Sequence, residues 1–270
     1  MNIETFIVDS FTDQPFKGNP AGVCVLEEIL SEELMLSIAK ELGLSETAFM
    51  IPLEEANTFS IRYFSPKMEI PLCGHATLAA SKVLFSKMEN QSNLRFITIQ
   101  KLELKINKIL DYIEMNFPIY STVPSPVSGE LLFALGIDRV VNSVFNKELE
   151  ILLLEIEDCQ LLKNLQPNFE KLLQSHNSIN GVLVTAKSEQ ANYDFESRYF
   201  WPWSGTNEDP VTGGTHTFLG KYWGSRLGKT QMNSYQCSNR GGFMEVELLN
   251  DTQMILRSMA RIVFEGRIRI

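Results

Sequence analysis

The chain carries two short words twice, and this duplication constrains its fold more than any other feature. Arg62 opens the word RYFSP, and Arg198 opens RYFWP. EIPLCG follows the first word from Glu69, and EDPVTG follows the second from Glu208. The two words recur in the same order at separations of 136 and 139 residues, about half of the 270-residue chain. A period this long predicts two similar half-chains, each the size of an ordinary domain, and not a solenoid of short repeats.

The hydrophobic pattern predicts many strands and few helices. In SEELMLSIAKELG, Ser31 suits a helix N-cap and Gly43 a C-terminal stop. The Ala-rich stretch LCGHATLAASKVLFSK has apolar residues at helical spacing and predicts a helix buried in the first half. GGTHTFLGKYWGSRLG predicts the counterpart helix, opened by the second motif, and SGELLFALG and NFEKLLQSH are further helix candidates. We therefore expect an α+β fold of two pseudo-symmetric halves, each with a curved sheet wrapped around a central helix.

The half-chains are expected to divide near a proline-rich segment. Residues 118–126 hold three prolines and three Ser or Thr, which is typical of a linker. We predict an N-terminal half over residues 1–118, joined by a C-terminal strand at about 262–270, and a second half over residues 119–261.

Charge and cysteine usage restrict the partners. The formal net charge is −9 and the pI is about 5.0, with no basic cluster, so nucleic acid is not expected as a partner. No apolar run approaches the ~20 residues that span a bilayer, and the N-terminus does not resemble a signal peptide. The four cysteines form no C-x-x-C pair, which fits a reducing cytoplasm and disfavours a metal site.

Both motif copies place a proline before a glycine-containing turn that opens a helix. The first N–H groups of a helix lack internal partners and, with the helix dipole, favour an anion. Gly74, Gly213 and Gly214 would let a ligand approach the backbone closely. We expect the two turns to face a cleft between the halves that holds a carboxylate.

The titratable residues of the motifs are the candidates for catalysis. Two of the three histidines, His75 and His216, lie in the motif copies, and the sequence leaves the role of His216 open. Asp209 precedes the proline of the second copy. Cys73 is either a base at a helix start or a small buried residue, and its counterpart Thr212 disfavours a two-thiol mechanism. Arg240, in SNRGGF, is either a carboxylate clamp or part of a hairpin turn.

Four segments of the chain together resemble the phenazine biosynthesis PhzF-like family. They are FTDQPFKGNPAGVCVL, LSETAF, RYFSPKMEIPLCGHATLAAS and GTNEDPVTGGTHT. The resemblance spans nearly the whole chain in the expected order. It implies the diaminopimelate-epimerase-like fold, in which each half is a curved sheet or open barrel around a central helix. It also implies a homodimer and an isomerisation that needs no metal or organic cofactor.

The resemblance assigns roles to individual residues. Glu46, in SETAF, is expected to shuttle a proton, while His75 and Asp209 line the pocket. Backbone amides around Gly74, His75, Gly213 and Gly214 are expected to hold the substrate carboxylate, with Cys73, Asn19 and Arg240 also at the substrate. One departure concerns Gly214, where the family usually has serine.

These observations predict a cofactor-independent isomerase that moves a proton on a small, possibly cyclic, carboxylated substrate. Glu46 would act as general acid and base, with a pKa raised toward neutrality by burial. Two alternatives remain: a racemase or epimerase that uses Cys73 as a base, and a non-catalytic protein that binds a small molecule on this scaffold.

Overall fold

The computed structural model describes residues 1–88 and 90–270. The chain forms two compact units, the first made of Met1–Asn116 with Ile255–Ile270 and the second of Phe117–Met254. Within the described ranges, no helix combines the length and apolar character that crossing a bilayer requires.

Strands outnumber helices in both units. In chain order, the elements up to residue 118 are β1 (Asn2–Ser10), β2 (Asn19–Val25), α1 (Glu32–Leu42), β3 (Thr47–Pro52), β4 (Thr58–Phe64), β5 (Glu69–Ile70), α2 (Gly74–Lys87), β6 (Asn93–Thr98), β7 (Glu103–Ile109) and β8 (Tyr112–Pro118). The later elements are β9 (Val123–Pro124), α3 (Gly129–Leu135), β10 (Asn142–Asn146), β11 (Ile151–Glu155), α4 (Cys159–Asn164), α5 (Phe169–Gln174), β12 (Gly181–Lys187), β13 (Phe195–Trp201), β14 (Thr206–Asp209), α6 (His216–Leu227), β15 (Gln231–Gln236), β16 (Gly242–Leu248), β17 (Gln253–Ser258) and β18 (Ala260–Arg269). The short helix α4 was not predicted.

The strand order of the first unit recurs in the second. In the first unit β2 is parallel to β3, β3 antiparallel to β4, β4 parallel to β6, and β6 antiparallel to β7. The second unit has the same alternation: β11 is parallel to β12, β12 antiparallel to β13, β13 parallel to β15, and β15 antiparallel to β16. The repeated words form equivalent hairpins, β4–β5 and β13–β14. The α+β fold with two similar halves is therefore confirmed.

Helix α1 begins and ends where its capping residues predict. The Ser31 side chain accepts a hydrogen bond from the Leu34 N–H at 3.3 Å. Gly43 ends the helix in the left-handed region at φ 63°, which glycine adopts without steric cost.

Helix α2 is buried nearly all round, as its composition predicts. It packs against β1, β2, β3 and β18. Its small residues, which include Ala76, Ala79 and Ala80, are fully buried and let the surrounding strands approach closely. The helix begins at Gly74, so the motif turn lies at its N-terminus.

Helix α6 occupies the equivalent place in the second unit, but the predicted start at the glycine pair was wrong. It begins at His216, because the His216 and Thr217 N–H groups bond the carbonyls of Gly213 and Gly214 in a separate turn. Farther along the helix, an added Cβ at Gly220 would lie 2.9 Å from Val246 of β16. Glycine thus allows α6 to pack closely on the sheet.

Candidate active site

The first motif copy forms the turn that starts α2. Cys73 is the N-cap residue, and its carbonyl accepts hydrogen bonds from the Thr77 N–H at 3.0 Å and the Thr77 hydroxyl at 2.7 Å. The Ser10 hydroxyl, at the end of β1, donates to the His75 carbonyl at 2.7 Å. The backbone that carries Cys73 and His75 is therefore held by contacts to both the helix and the sheet.

Glu46 reaches this turn from the residue before β3. Its carbonyl accepts from the Gly22 N–H at 3.0 Å, which ties Glu46 to β2. Its carboxylate Oε2 lies 3.2 Å from His75 Nε2, and the two side chains are 14% and 11% exposed. The Ser45 hydroxyl lies 3.4 Å from the same nitrogen. On the other side of the ring, Cys73 Sγ lies 3.3 Å from His75 Nδ1. The structure thus brings three predicted site residues into one contact group.

The ionisation of Glu46 differs from the sequence expectation. Burial alone would raise the pKa of Glu46, but the hydrogen bond and positive charge of the His75 ring hold it below the usual carboxyl value. The predicted rise toward neutrality was therefore wrong, because sequence alone did not include the opposing ion pair. At neutral pH Glu46 is a carboxylate.

The pKa values of His75 and Cys73 follow from the same contacts. Burial alone would lower the pKa of His75, but the Cys73 sulfur and the Glu46 carboxylate raise it well above its usual value. Burial raises the pKa of the Cys73 thiol, against the opposing effect of the His75 ring. Glu46 and His75 thus favour each other's charged forms, while burial favours the neutral thiol of Cys73.

The second motif copy is organised around Asp209 and Gln236. The Asp209 carboxylate accepts a hydrogen bond from the Thr212 hydroxyl. The Gln236 side chain donates to the Asp209 carbonyl at 2.7 Å and accepts from the Thr212 N–H at 2.9 Å. Gln236 was not singled out from the sequence, because it belongs to β15 and lies outside both repeated words. It fixes the backbone that leads into the Gly213–Gly214 turn.

The glycine pair leaves room where the family usually has a serine. A Cβ built on Gly214 would meet no atom within 4 Å. The departure at Gly214 is therefore not imposed by packing, and its consequence is the absence of a hydroxyl group beside the turn.

Asn19 and Arg240 lie near one motif copy each. Asn19 is fully buried at the start of β2, in register with Ser10, whose hydroxyl binds the His75 carbonyl. Arg240 is half-buried in the loop between β15 and β16. In that loop, the Ser238 hydroxyl donates to the Pro210 carbonyl at 2.6 Å. The strand pairing thus places Asn19 beside a residue that binds the first motif turn, and the loop that carries Arg240 is bonded to the second motif copy.

Two ion-pair forks, which sequence analysis did not predict, support the motif turns. Arg62 Nε and Nη2 bind the two oxygens of Glu69 at 2.7 and 2.6 Å. The same two nitrogens of Arg198 bind Glu208 at 2.7 and 2.8 Å. The arginine and glutamate occupy matching places in the repeated words, and that recurrence was the available signal.

A protein-family model described as phenazine biosynthesis-like protein matches residues 8–266. The chain belongs to this family. A human phenazine biosynthesis-like domain-containing protein is 40% identical, over 98% of this chain and 99% of the relative. An uncharacterized isomerase of Halalkalibacterium halodurans is also 40% identical, over 95% of each protein. The crystal structure of a PhzF-family protein from Enterococcus faecalis matches with a TM-score of 0.92 and 36% identity, covering all of both chains.

A more distant structure shares the fold of this family member. A hydroxyproline epimerase from Agrobacterium vitis, solved with trans-4-hydroxy-L-proline, matches with a TM-score of 0.60 at 10% identity. The likeness covers 99% of this chain and 92% of the epimerase. The diaminopimelate-epimerase-like architecture expected from the family resemblance is thus confirmed.

Among residues 1–88 and 90–270, the Glu46–His75 pair of the first unit has no counterpart at the equivalent positions of the second. Strand register places Thr47 opposite Phe64 and Val182 opposite Phe200, so Gly181 is the counterpart of Glu46. Counting from the motifs, Gly214 replaces His75 and Thr212 replaces Cys73. A Cβ at Gly181 would overlap the Tyr199 ring at 2.6 Å, so this position has no room for an acid. The side chains of Glu46, Cys73 and His75 are therefore not repeated at the equivalent positions of the second unit.

His216 has a structural environment. Its ring is fully buried, and Nδ1 lies 3.1 Å from the Thr212 carbonyl while Nε2 lies 2.9 Å from the Ser234 hydroxyl. Burial lowers its pKa from 6.5 to about 4, against the opposing effect of the backbone carbonyls. A neutral ring satisfies both contacts when Nδ1–H donates to the Thr212 carbonyl and Nε2 accepts from the Ser234 hydroxyl, which then gives up its alternative acceptor, the Met244 carbonyl at 3.1 Å. These contacts favour a packing role for His216.

His216 should make the protein less stable as the pH falls. Between pH 6.5 and about 4 the unfolded chain binds a proton at this residue that the folded chain does not. The free energy of unfolding should therefore fall by roughly 2–3 kcal/mol on going from about pH 7 to about pH 4.5. Urea unfolding of the wild type and His216→Gln over this range measures the effect. Gln lacks the titration, so parallel pH profiles for the two proteins would contradict the assignment.

Proposed function

We propose that this chain is an isomerase that moves a proton on a small carboxylated substrate without a metal or organic cofactor. The observation that carries the proposal is the Glu46–His75 pair at the start of α2, with Oε2 3.2 Å from Nε2 and both side chains partly exposed. The isomerase name of a relative that is 40% identical supports the reaction class. The substrate, possibly cyclic, belongs to this proposal as well.

In this mechanism Glu46 begins as a carboxylate and acts as the base. A C–H bond of the substrate breaks, its proton moves to Glu46, and its electron pair enters the conjugated system of the substrate. Glu46 then returns the proton to a different carbon, so atoms and electrons balance without a redox partner. Such a positioned acid–base group typically contributes 10²–10⁴-fold in rate.

His75 supports both steps through its contact with Glu46. The protonated ring stabilises the charged carboxylate of Glu46. Glu46 is therefore deprotonated at neutral pH and can accept a proton from the substrate. The Ser10 contact fixes the backbone of His75, and Ser45 lies within reach of the ring. In our proposal His75 therefore positions the base, and Asp209 contributes to binding from the second motif copy.

The substrate carboxylate would be bound by backbone N–H groups at the motif turns. Gly74 and His75 are the first residues of the 14-residue helix α2, where N–H groups and the helix dipole favour an anion. Gly213 and Gly214 form the corresponding turn before α6. We also include Asn19, Cys73 and Arg240 among the residues that contact the substrate.

The family resemblance also supports a homodimer, and the cysteine usage supports a cytoplasmic protein. The four cysteines are free and form no disulfide bond, which agrees with a reducing compartment. Both statements are part of the proposal.

A racemase that uses Cys73 is the second candidate. The 3.3 Å contact between Cys73 Sγ and His75 Nδ1 favours it, since a charged histidine ring stabilises the thiolate form of a neighbouring cysteine. Two observations weigh against it: the pKa of the thiol is raised by burial, and Thr212 stands where a second thiol would be needed.

Proton transfer to carbon gives a direct test. Incubation with a panel of small cyclic hydroxy- and amino-carboxylates in deuterated water should yield a compound that gains deuterium at carbon or shifts a double bond, read by NMR and mass spectrometry. Inversion at one carbon without such a shift would overturn the isomerase in favour of the racemase. Tight retention of a panel compound with neither change would indicate a binding protein.

A further inference from the structure

The side chains of Glu46, Cys73 and His75 together form a set of potential metal ligands. The proposed reaction does not require them to bind a metal. One ligand atom from each lies within 4.8 Å of the others. Among residues 1–88 and 90–270, this is the one group of three or more His, Cys, Asp or Glu side chains gathered so closely. The three come from two elements that are fixed by backbone hydrogen bonds, the start of β3 and the start of α2.

We propose that Glu46, Cys73 and His75 bind one Zn²⁺ ion per chain, and that this ion inhibits the enzyme by occupying the base. The binding is independent of the proposed function. The inhibition rests on it, because it requires Glu46 to be the group that accepts the substrate proton.

The donor atoms are close to the arrangement that zinc requires. Zinc bonds of about 2.0–2.1 Å to nitrogen, 2.0–2.2 Å to oxygen and 2.3 Å to sulfur place tetrahedral donors roughly 3.3–3.6 Å apart. Glu46 Oε2 lies 3.2 Å from His75 Nε2, and Cys73 Sγ lies 4.0 Å from the same nitrogen. Cys73 Sγ is nearer to Nδ1, at 3.3 Å, so zinc binding requires the Cys73 side chain to move toward the Nε2 side of the ring. The fourth position is left for water or substrate.

The chemistry of the three ligands selects zinc over the common cations. Mg²⁺ and Ca²⁺ prefer sets of oxygen ligands, whereas thiolate, imidazole and carboxylate together suit zinc. One thiolate and one carboxylate neutralise the two charges of the ion, so the bound group is neutral. This balance matters because Cys73 is buried and both other side chains are mostly shielded from water.

The duplicated fold predicts the stoichiometry. The positions equivalent to the three ligands are Gly181, Thr212 and Gly214, which offer a single hydroxyl group. One Zn²⁺ per chain, and not two, should therefore bind with high affinity.

Titration of the chelated protein with ZnCl₂ against a competing indicator measures binding without turnover. The wild type should bind one equivalent. Cys73→Ser and His75→Asn should each weaken binding by about 100-fold or more, since even outer-shell changes typically cost 10–100-fold. Cys237→Ser is the matched control, a half-buried cysteine of the second unit, and should leave the affinity unchanged. With Co²⁺ as the probe, a thiolate-to-metal absorption band should appear in the wild type and be lost in Cys73→Ser.

Equal affinity in the wild type and Cys73→Ser, or no stoichiometric binding to the wild type, would overturn the metal site. Far-UV circular dichroism of each variant checks that loss of binding does not reflect unfolding. Where the deuterium assay gives turnover, one equivalent of Zn²⁺ should abolish it and a chelator should restore it. Turnover that persists with zinc bound would overturn the inhibition, whereas failure of the isomerase assay would leave the binding result intact.

Discussion

Glu46→Gln is expected to reduce turnover by about 10²–10⁴-fold while leaving ligand affinity within roughly tenfold, or about 1.4 kcal/mol. Gln keeps the size of the side chain and can still hydrogen-bond His75, but it cannot accept a proton from carbon. The rate of deuterium incorporation measures the chemical step, and calorimetric titration with the same compound measures affinity. We therefore expect a lower rate of turnover with little change in ligand affinity.

Glu41→Gln is the matched control for this experiment. Glu41 is an exposed glutamate near the end of α1, five residues before Glu46 and outside the motif turn. It should retain the wild-type rate. His75→Asn and Asp209→Asn should weaken both rate and affinity, because both residues are assigned to positioning. Wild-type turnover in Glu46→Gln would refute the mechanism and move Cys73 to the position of leading base.

Local signals explain how much of the fold the sequence predicts. Ser31 and Gly43 encode the two ends of α1 through chemistry of single residues, and both predictions are confirmed. The start of α6 could not be predicted in the same way. The turn before it is set by the Thr212 N–H bond to Gln236, which comes from a strand 24 residues away in the chain. A contact of this kind has no local pattern.

The same distinction applies to the site. The repeated words identify Cys73 and His75 as neighbours in one turn, whereas Glu46 was selected through the family resemblance. Sequence patterns indicate burial, and burial alone raises the pKa of a carboxyl group. The opposite direction for Glu46 depends on the 3.2 Å contact with His75, a tertiary contact between residues of different elements. The direction of the pKa shift of Glu46 could therefore be assigned only from the structure.

The two arginine forks occupy equivalent positions in the two units. Removing each arginine in turn therefore compares how much the two forks contribute to the free energy of unfolding. Arg198 is 9% exposed and uses all its nitrogens, since Nη1 donates to the Leu165 carbonyl at 2.7 Å in addition to the Glu208 fork. Its guanidinium also lies over the Phe200 ring at 4.9 Å. Arg198→Ala should lower the free energy of unfolding by about 3–5 kcal/mol, because it leaves a largely buried carboxylate and a carbonyl without their partner.

Arg62→Ala is the matched control, because the fork to Glu69 has nearly the same geometry. Arg62 is 21% exposed, and its other carboxylate partner, Glu32, is 69% exposed at 3.5 Å. Water can therefore replace part of the lost contacts. The Glu69 and Glu208 carboxylates are similarly shielded, at 16% and 18% exposed, so the smaller expected cost of about 1–3 kcal/mol comes from the greater exposure of Arg62 and from the additional carbonyl contact of Arg198.

Urea unfolding separates the two outcomes. The three tryptophans, Trp201, Trp203 and Trp223, all lie in the second unit and report on Arg198, while circular dichroism reports on the whole chain. If the two probes give coincident transitions, a two-state analysis applies. Adding Glu208→Ala to Arg198→Ala should recover part of the loss, because the unpaired carboxylate is removed. Equal costs for Arg62→Ala and Arg198→Ala would show that burial and the carbonyl contact do not distinguish the forks, and the stability argument would be wrong.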